Sequence, residues 1–125
     1  MKLGASQVVT NEELKAVGGA DIILVTSNSY KLALDTLKGL RPEGLMVIMG
    51  FSNEPLNVSA FSLLSNRHHI IGSQQNGIEY LYEALDYVAK GKVKVMTETY
   101  DLEDIAQVYD RVANGQVRFR AVIKN

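Results

Sequence analysis

The sequence contains no cysteine. That removes disulfides, thiolate metal sites and a thiol nucleophile from consideration. An excess of one charge is missing too: 13 basic and 14 acidic residues leave a net charge of −1, mixed along the chain. Nucleic acid is thereby disfavoured as a partner, because neutralising phosphates takes a concentrated basic patch. Long apolar runs are also absent. The longest, Leu45–Met49, falls far short of the ~20 residues a helix needs to span a bilayer. The N-terminus carries no apolar signal-peptide core. No membrane partner and a cytoplasmic location are therefore expected. The ten glycines form no G-x-G-x-x-G, no G-x-x-x-x-G-K-[ST] and no G-x-S-x-G, so a dinucleotide fingerprint, a phosphate-binding P-loop and a hydrolase nucleophile elbow are all missing.

What is present is ordinary for a globular protein: 46% hydrophobic and 22% charged residues. A chain of 125 residues makes one domain able to bury roughly two-thirds of its unfolded surface. Its centre is Leu45–Met49, apolar at every position, stopped by Gly50 and launched from Arg41-Pro42-Glu43-Gly44. A run that short and apolar on both faces predicts a central parallel strand covered by helices on both sides. Ile22–Val25 repeats the pattern and also ends in small polar residues, Thr26-Ser27-Asn28-Ser29. Between the two runs, Tyr30, Leu34 and Leu37 step by four and three along one helix face, with Ser29 as cap and Gly39 and Pro42 as the stop. The unit is β-α-β, and its polar strand ends are where a ligand would be held.

The flanking segments continue the alternation. Gln7-Val8-Val9-Thr10 is a candidate short strand, and Thr10 or Asn11 with Glu12-Glu13 predicts a helix start, closed by Gly18-Gly19. Ser59 caps a short helix carrying Phe61 and Leu64, and Arg67–Gly72 gives a weaker third strand closing on Ser73. Asn76-Gly77-Ile78-Glu79 reads as a capping box. Behind it, Ile78, Leu81, Tyr82, Leu85, Val88 and Ala89 define the clearest helical stripe, ended by Lys90-Gly91. Val93, Val95, Thr97 and Thr99 alternate with polar residues and predict a strand with one wet face. Asp101 caps a last helix with a buried stripe of Ile105, Val108, Tyr109 and Val112, and Arg118–Ile123 is a closing strand. Alternating strands and helices predict an α/β sheet.

Few residues invite chemistry. His68 and His69 are adjacent, so on a strand they face opposite ways and cannot easily share a metal; edge or surface histidines are the simpler reading. Ser27, Ser29 and Ser73 lack a nearby base and suit caps or turns better than nucleophiles. Asp101, Glu103 and Asp104 are explained by a helix dipole, and Tyr82 by packing. Arg118 and Arg120, two residues apart on one strand face, read either as solvated edge charges or as a clamp for an anion, since guanidinium pairs bidentately with phosphate.

The order of several short segments resembles the zinc-type, medium-chain alcohol dehydrogenases. They are Gly4-Ala5, Ala20-Asp21-Ile22-Ile23, Leu40-Arg41-Pro42 with Gly44, Met49-Gly50, Ile71-Gly72-Ser73, Lys90-Gly91-Lys92-Val93, Ala113-Asn114-Gly115 and Arg120-Ala121-Val122-Ile123. The resemblance covers essentially the whole chain and points to the C-terminal part of such an enzyme, whether a recombinant piece, a proteolytic remnant or a truncated homologue. It implies a partial Rossmann-like, doubly wound parallel sheet lacking its first two strands. Residues 1–125 would form a single partial NAD(P)-binding domain, with 93–125 matching the segment that returns toward the catalytic domain. The glycine-rich fingerprint and the zinc-binding catalytic domain would precede Met1. By position, the resemblance implies that Val25, Thr26 and Ser27 lie against the cofactor, with Gly50 and Phe51 beside them. Ser73 and Gln75 fall where main-chain groups fix the nicotinamide carboxamide, and Arg120 falls at the cofactor-phosphate arginine. No residue of the chain corresponds to a catalytic group or a metal ligand.

Three functions follow as expectations. The first is a cofactor-domain fragment of an NAD(P)-dependent alcohol dehydrogenase, inactive alone, with zinc and small-molecule substrate belonging to the intact parent. The second is a non-enzymatic self-associating module. The third is a fragment of a zinc-free quinone reductase. Because missing neighbours would leave Ile22–Val25 as a bare edge, and His69–Ile71 matches the family's dimer edge, a homo-oligomer through one or both edges is expected.

Overall fold

The computed structural model describes residues 4–74 and 77–124. The chain is α/β and forms two compact units, Met1–Gln75 and Asn76–Asn125.

In the first unit, β1 (Ala20–Val25), β2 (Leu40–Ile48) and β3 (His69–Gly72) form a parallel sheet in the order β1-β2-β3. The run Leu45–Ile48 is therefore central, as expected. It is paired to Ile22–Val25 on one side and to His69–Gly72 on the other. Register alternates two kinds of row. Ile23-Met46-Ile70 and Val25-Ile48 face the core, while Ile22-Leu45-His69 and Leu24-Val47-Ile71 face the other way.

The core side is closed by α2 (Tyr30–Thr36) and the 3-10 turn after it, whose Ala33 and Leu37 pack with Val25, Leu40 and the fully buried Met46. The opposite side is open: Ile22 and Leu24 are each 61% exposed and Ile71 48%. Within the first unit, helices thus cover one side only among the described residues. Parallel strands carry apolar residues on both faces because they ordinarily sit inside a layered sheet. The run specifies that it should be covered, not what covers it.

Helix ends follow local chemistry. Thr10 caps α1 (Asn11–Leu14) in a reciprocal capping box with Glu13, Ser29 caps α2, and Ser59 caps α3 (Ala60–Asn66). Gly18 and Gly19 both take positive φ before β1. Arg41 fixes that turn from β2, donating to the Gly18 carbonyl at 2.8 Å and to Asp21 at 2.7 Å. Val8-Val9 is not a strand, and Val8 is 77% exposed. Among the described residues no strand lies beside it to supply a ladder.

The second unit holds α4 (Ile78–Ala89), β4 (Glu98–Asp101), a 3-10 turn at Leu102–Asp104, α5 (Ile105–Ala113) and β5 (Ala121–Lys124). β4 and β5 pair in parallel, Glu98 opposite Ala121 and Asp101 opposite Lys124. The strand expected at Val93–Thr99 is displaced to Glu98–Asp101, because a strand needs a partner's N–H and C=O groups and β5 offers them only there. The closing strand likewise shrinks to Ala121–Lys124. Arg118 and Arg120 therefore lie ahead of it in a turn, not side by side on one strand face.

Asp101 makes no side-chain cap bond. Of the stripe on α5 only Val108 is buried; Ile105, Tyr109 and Val112 are exposed. The stripe on α4 is right in period but also exposed, Tyr82 included, so that tyrosine does not pack as expected. The Asn76 cap lies outside the described residues; Gly77 is the N-cap and makes no side-chain bond.

Candidate functional site

In parallel α/β sheets ligands bind beyond the carboxyl ends of the strands, and Val25, Thr26, Ser27, Gly50, Phe51 and Ser73 lie at that edge in the first unit. The Val25 carbonyl accepts the N–H groups of both Met49 and Gly50 at 2.9 Å, and Ser73 N–H donates to the Ile48 carbonyl at 2.8 Å. The ends of β1, β2 and β3 are thus bound to one another. Gly50 approaches the Ser27 backbone so closely that a β-carbon on residue 50 would overlap the Ser27 carbonyl oxygen. Only glycine lets the two strand ends come together.

Each candidate contributes differently. Val25 is buried and its side chain belongs to the core, leaving its backbone for the edge. Thr26, Ser27 and Ser73 are exposed, and Phe51 is 81% exposed. The Ser27 hydroxyl donates to the Ser29 carbonyl at 3.4 Å and accepts its N–H at 3.3 Å, a turn-forming role. Gln75 lies outside the described residues. Arg120 is exposed in the second unit.

Two residues were not legible as site builders. Tyr30 donates from its hydroxyl to the Gly50 carbonyl at 3.3 Å and accepts Ser52 N–H at 3.3 Å, so α2 fixes the loop after β2. Its helical spacing marked it only as a packing residue. Glu98, read as part of a wet strand face, is the hub of the second unit. It accepts from the Tyr100 hydroxyl, from Arg111 at 3.2 Å and from Arg118 N–H at 2.8 Å. The bond from Tyr100 and then that from the Arg118 backbone hold its carboxyl below the ordinary glutamate range. The same Glu98 bond raises the Tyr100 phenol. No sequence pattern marks either role.

A depression of about 800 Å³ lies at the opposite ends of the strands, lined in part by Lys15, Lys38, Leu40 and His68. Both ring nitrogens of His68 are buried without a hydrogen-bond partner among the described residues, so its imidazole turns no polar atom toward that space. Among the described residues no group of three or more His, Cys, Asp or Glu side chains is placed to hold a metal ion. The carboxyl edge offers backbone groups, hydroxyls and one aromatic face.

The parallel β1-β2-β3 sheet with its polar carboxyl edge defines an α/β protein. Residues 3–123 match the family described as zinc-binding dehydrogenase, and the chain belongs to that family. It is 35% identical to an alcohol dehydrogenase of Geobacillus stearothermophilus over 98% of this chain and 39% of the relative. It is also 35% identical to cinnamyl alcohol dehydrogenase 2 of Arabidopsis thaliana, over 98% of this chain and 34% of the relative. An alcohol dehydrogenase structure from Aeropyrum pernix superposes with a TM-score of 0.86 at 23% identity, over 98% of this chain and 38% of that one. An E. coli alcohol dehydrogenase structure complexed with NADH gives a TM-score of 0.82 at 19% identity, over 98% of this chain and 39% of that one. The chain thus spans well under half the length of its relatives and corresponds to the C-terminal part of zinc-type medium-chain alcohol dehydrogenases.

Proposed function

We propose that this chain forms the C-terminal part of the cofactor domain of an NAD(P)-dependent alcohol dehydrogenase. The observation that carries the reading is the joined carboxyl edge, where Gly50 closes on Ser27 beneath exposed Thr26, Phe51 and Ser73. The strand order β1-β2-β3 corresponds to strands 4-5-6 of a Rossmann-like sheet, whose first two strands would lie outside this chain. Residues 93–125 belong, in this reading, to the segment returning toward a catalytic domain.

Bound NAD(P) supplies the hydride acceptor and donor for interconverting an alcohol and a carbonyl compound. The chain's own residues bind and orient. Backbone at Val25–Ser27 and Gly50 would form the floor with Phe51 beside it, and main-chain groups at Ser73 would hold the carboxamide; Gln75, expected to share that task, lies outside the described residues. Within the second unit, Arg120 would pair with a phosphate group. Among the described residues the acids and histidines form no ligand cluster, and the sequence has no cysteine. Substrate and metal chemistry belong to the parent enzyme, and the isolated chain, a cytoplasmic protein, has no turnover of its own.

A second reading is favoured by the open side of the sheet. Among the described residues β1 has a partner on one edge only, and its Ile22 and Leu24 are exposed. Such an edge pairs readily with another chain, which supports self-association through Ile22–Val25, His69–Ile71 or both.

Isothermal titration of the 125-residue protein with NADH and NADPH tests the first reading. Binding that weakens in Arg120→Ala supports it. Association without any dinucleotide binding favours the self-associating module. Alcohol-dependent reduction of NAD(P) by the zinc-supplemented chain would contradict the claim of inactivity.

A further inference from the structure

The turn carrying Arg120 has an unusual backbone. Phe119 sits at φ 75, a left-handed conformation that residues other than glycine rarely adopt and that is an outlier for a bulky side chain. Such conformations persist where the surroundings over-determine them. Here the surrounding residue is Glu98. Its carboxylate accepts Arg118 N–H at 2.8 Å, just before Phe119. Its backbone N–H donates to the Arg120 carbonyl at 2.9 Å, just after. Arg120 N–H closes the turn on the Arg118 carbonyl at 3.2 Å.

The clamp is itself clamped. The second Glu98 oxygen accepts from the Tyr100 hydroxyl and from Arg111 at 3.2 Å, while Arg111 also donates to the Gln116 carbonyl at 3.2 Å and stands over the Tyr100 ring. These contacts decide the local charge. A free carboxylate would repel an anion approaching the turn, but Glu98 is matched by Arg111. The Arg118 and Arg120 charges are left uncompensated, since neither forms an ion pair among the described residues.

We infer that Glu98 is a positioning residue. By holding the Arg118–Arg120 turn in its left-handed form, it presents the Arg120 guanidinium to a phosphate-bearing ligand. The inference rests on the reading of Arg120 as a cofactor-phosphate residue.

Nuclear magnetic resonance of the whole chain, titrated with inorganic pyrophosphate, tests it. In the wild type the Arg120 side-chain N–H signals shift on titration, and Arg120→Ala abolishes binding. In Glu98→Ala the Phe119 HN–Hα coupling leaves its left-handed value before any ligand is added, and the dissociation constant rises about tenfold as Arg120 is misplaced. Glu98→Gln keeps an oxygen for Arg118 N–H, so both the Phe119 coupling and most of the affinity return. Unchanged affinity in Glu98→Ala, or a displaced turn with wild-type affinity, overturns the positioning role. Should that variant fail to fold, Tyr100→Phe carries the test. It loosens one carboxylate oxygen while sparing every backbone bond, and a loss of about threefold is expected; unchanged affinity overturns the role. If Arg120→Ala binds pyrophosphate like the wild type, the Arg120 reading fails and this inference with it. That outcome is told apart because it appears with Glu98 intact.

Discussion

The Ser27 carbonyl oxygen stands where a β-carbon on residue 50 would have to go. This approach ties the end of β2 to the end of β1 and builds the ledge that the proposed function assigns to a cofactor. Gly50→Ala must push the two backbones apart, at a cost of about 1–3 kcal/mol. Urea denaturation should show the transition of the variant at lower concentration, and any NADH binding by the chain should weaken. An unchanged midpoint would mean the approach is looser than described.

Tyr30 holds the same ledge from the side of α2, through the Gly50 carbonyl and Ser52 N–H. Tyr30→Phe removes two long hydrogen bonds on a half-buried group, worth about 1 kcal/mol. The diagnostic result is local: amide hydrogen exchange at Ser52 should accelerate while that at Met46 stays slow relative to it. Equal protection at Ser52 in both proteins would show that the hydroxyl is not what orders the loop.

Met46 has no exposed surface and is the centre of the core cluster. Met46→Ala should cost about 2–5 kcal/mol through lost burial and the cavity left behind. In a core of few buried residues that loss should be visible as a broad or absent thermal transition. A variant melting within a degree of the wild type would place the core elsewhere.

Glu98 predicts the response to acid. Its folded-state pKa is lowered from the ordinary 4.5, chiefly by the Tyr100 bond and then by Arg118 N–H. A depressed carboxyl binds its proton more readily in the unfolded state, so its contribution is complete above the ordinary value. The contribution is lost as pH falls below 4.5 through the lowered folded-state value. Glu98→Gln should therefore flatten the fall of stability with pH in that acidic range, measured by denaturant melts. An identical acid profile for the two proteins would rule out this coupling.

The open side of the sheet predicts association. Ile22 and Leu24 are exposed apolar residues on an edge strand, and lysine on such a strand is a natural guard against pairing. Light scattering should find the chain larger than a monomer at micromolar concentration and Leu24→Lys smaller. A wild-type chain that is stably monomeric would remove self-association from consideration.

The sequence by itself determined the local events. Thr10 with Glu13, Ser29 and Ser59 cap helices where side-chain oxygen and backbone N–H are only a few residues apart. Leu45–Ile48 is the central parallel strand because its apolar run has no wet face. The succession of segments also carried the family resemblance, which the match over residues 3–123 establishes. Whatever depends on a partner distant in sequence was decided by the tertiary structure. Strand β4 falls at Glu98–Asp101 and not at Val93–Thr99 because β5 supplies its ladder only there. The stripes of α4 and α5 have a helical period, but period alone does not say whether a neighbour covers them, and in the chain most of their residues are exposed. Gly50 reads in the sequence as a strand stop and in the structure as a point of contact with Ser27. Glu98 reads as one polar residue among several and in the structure holds the Arg118–Arg120 turn. Caps and periods are encoded within a few residues of one another, whereas ladders, burial and clamps need two segments brought together by the fold.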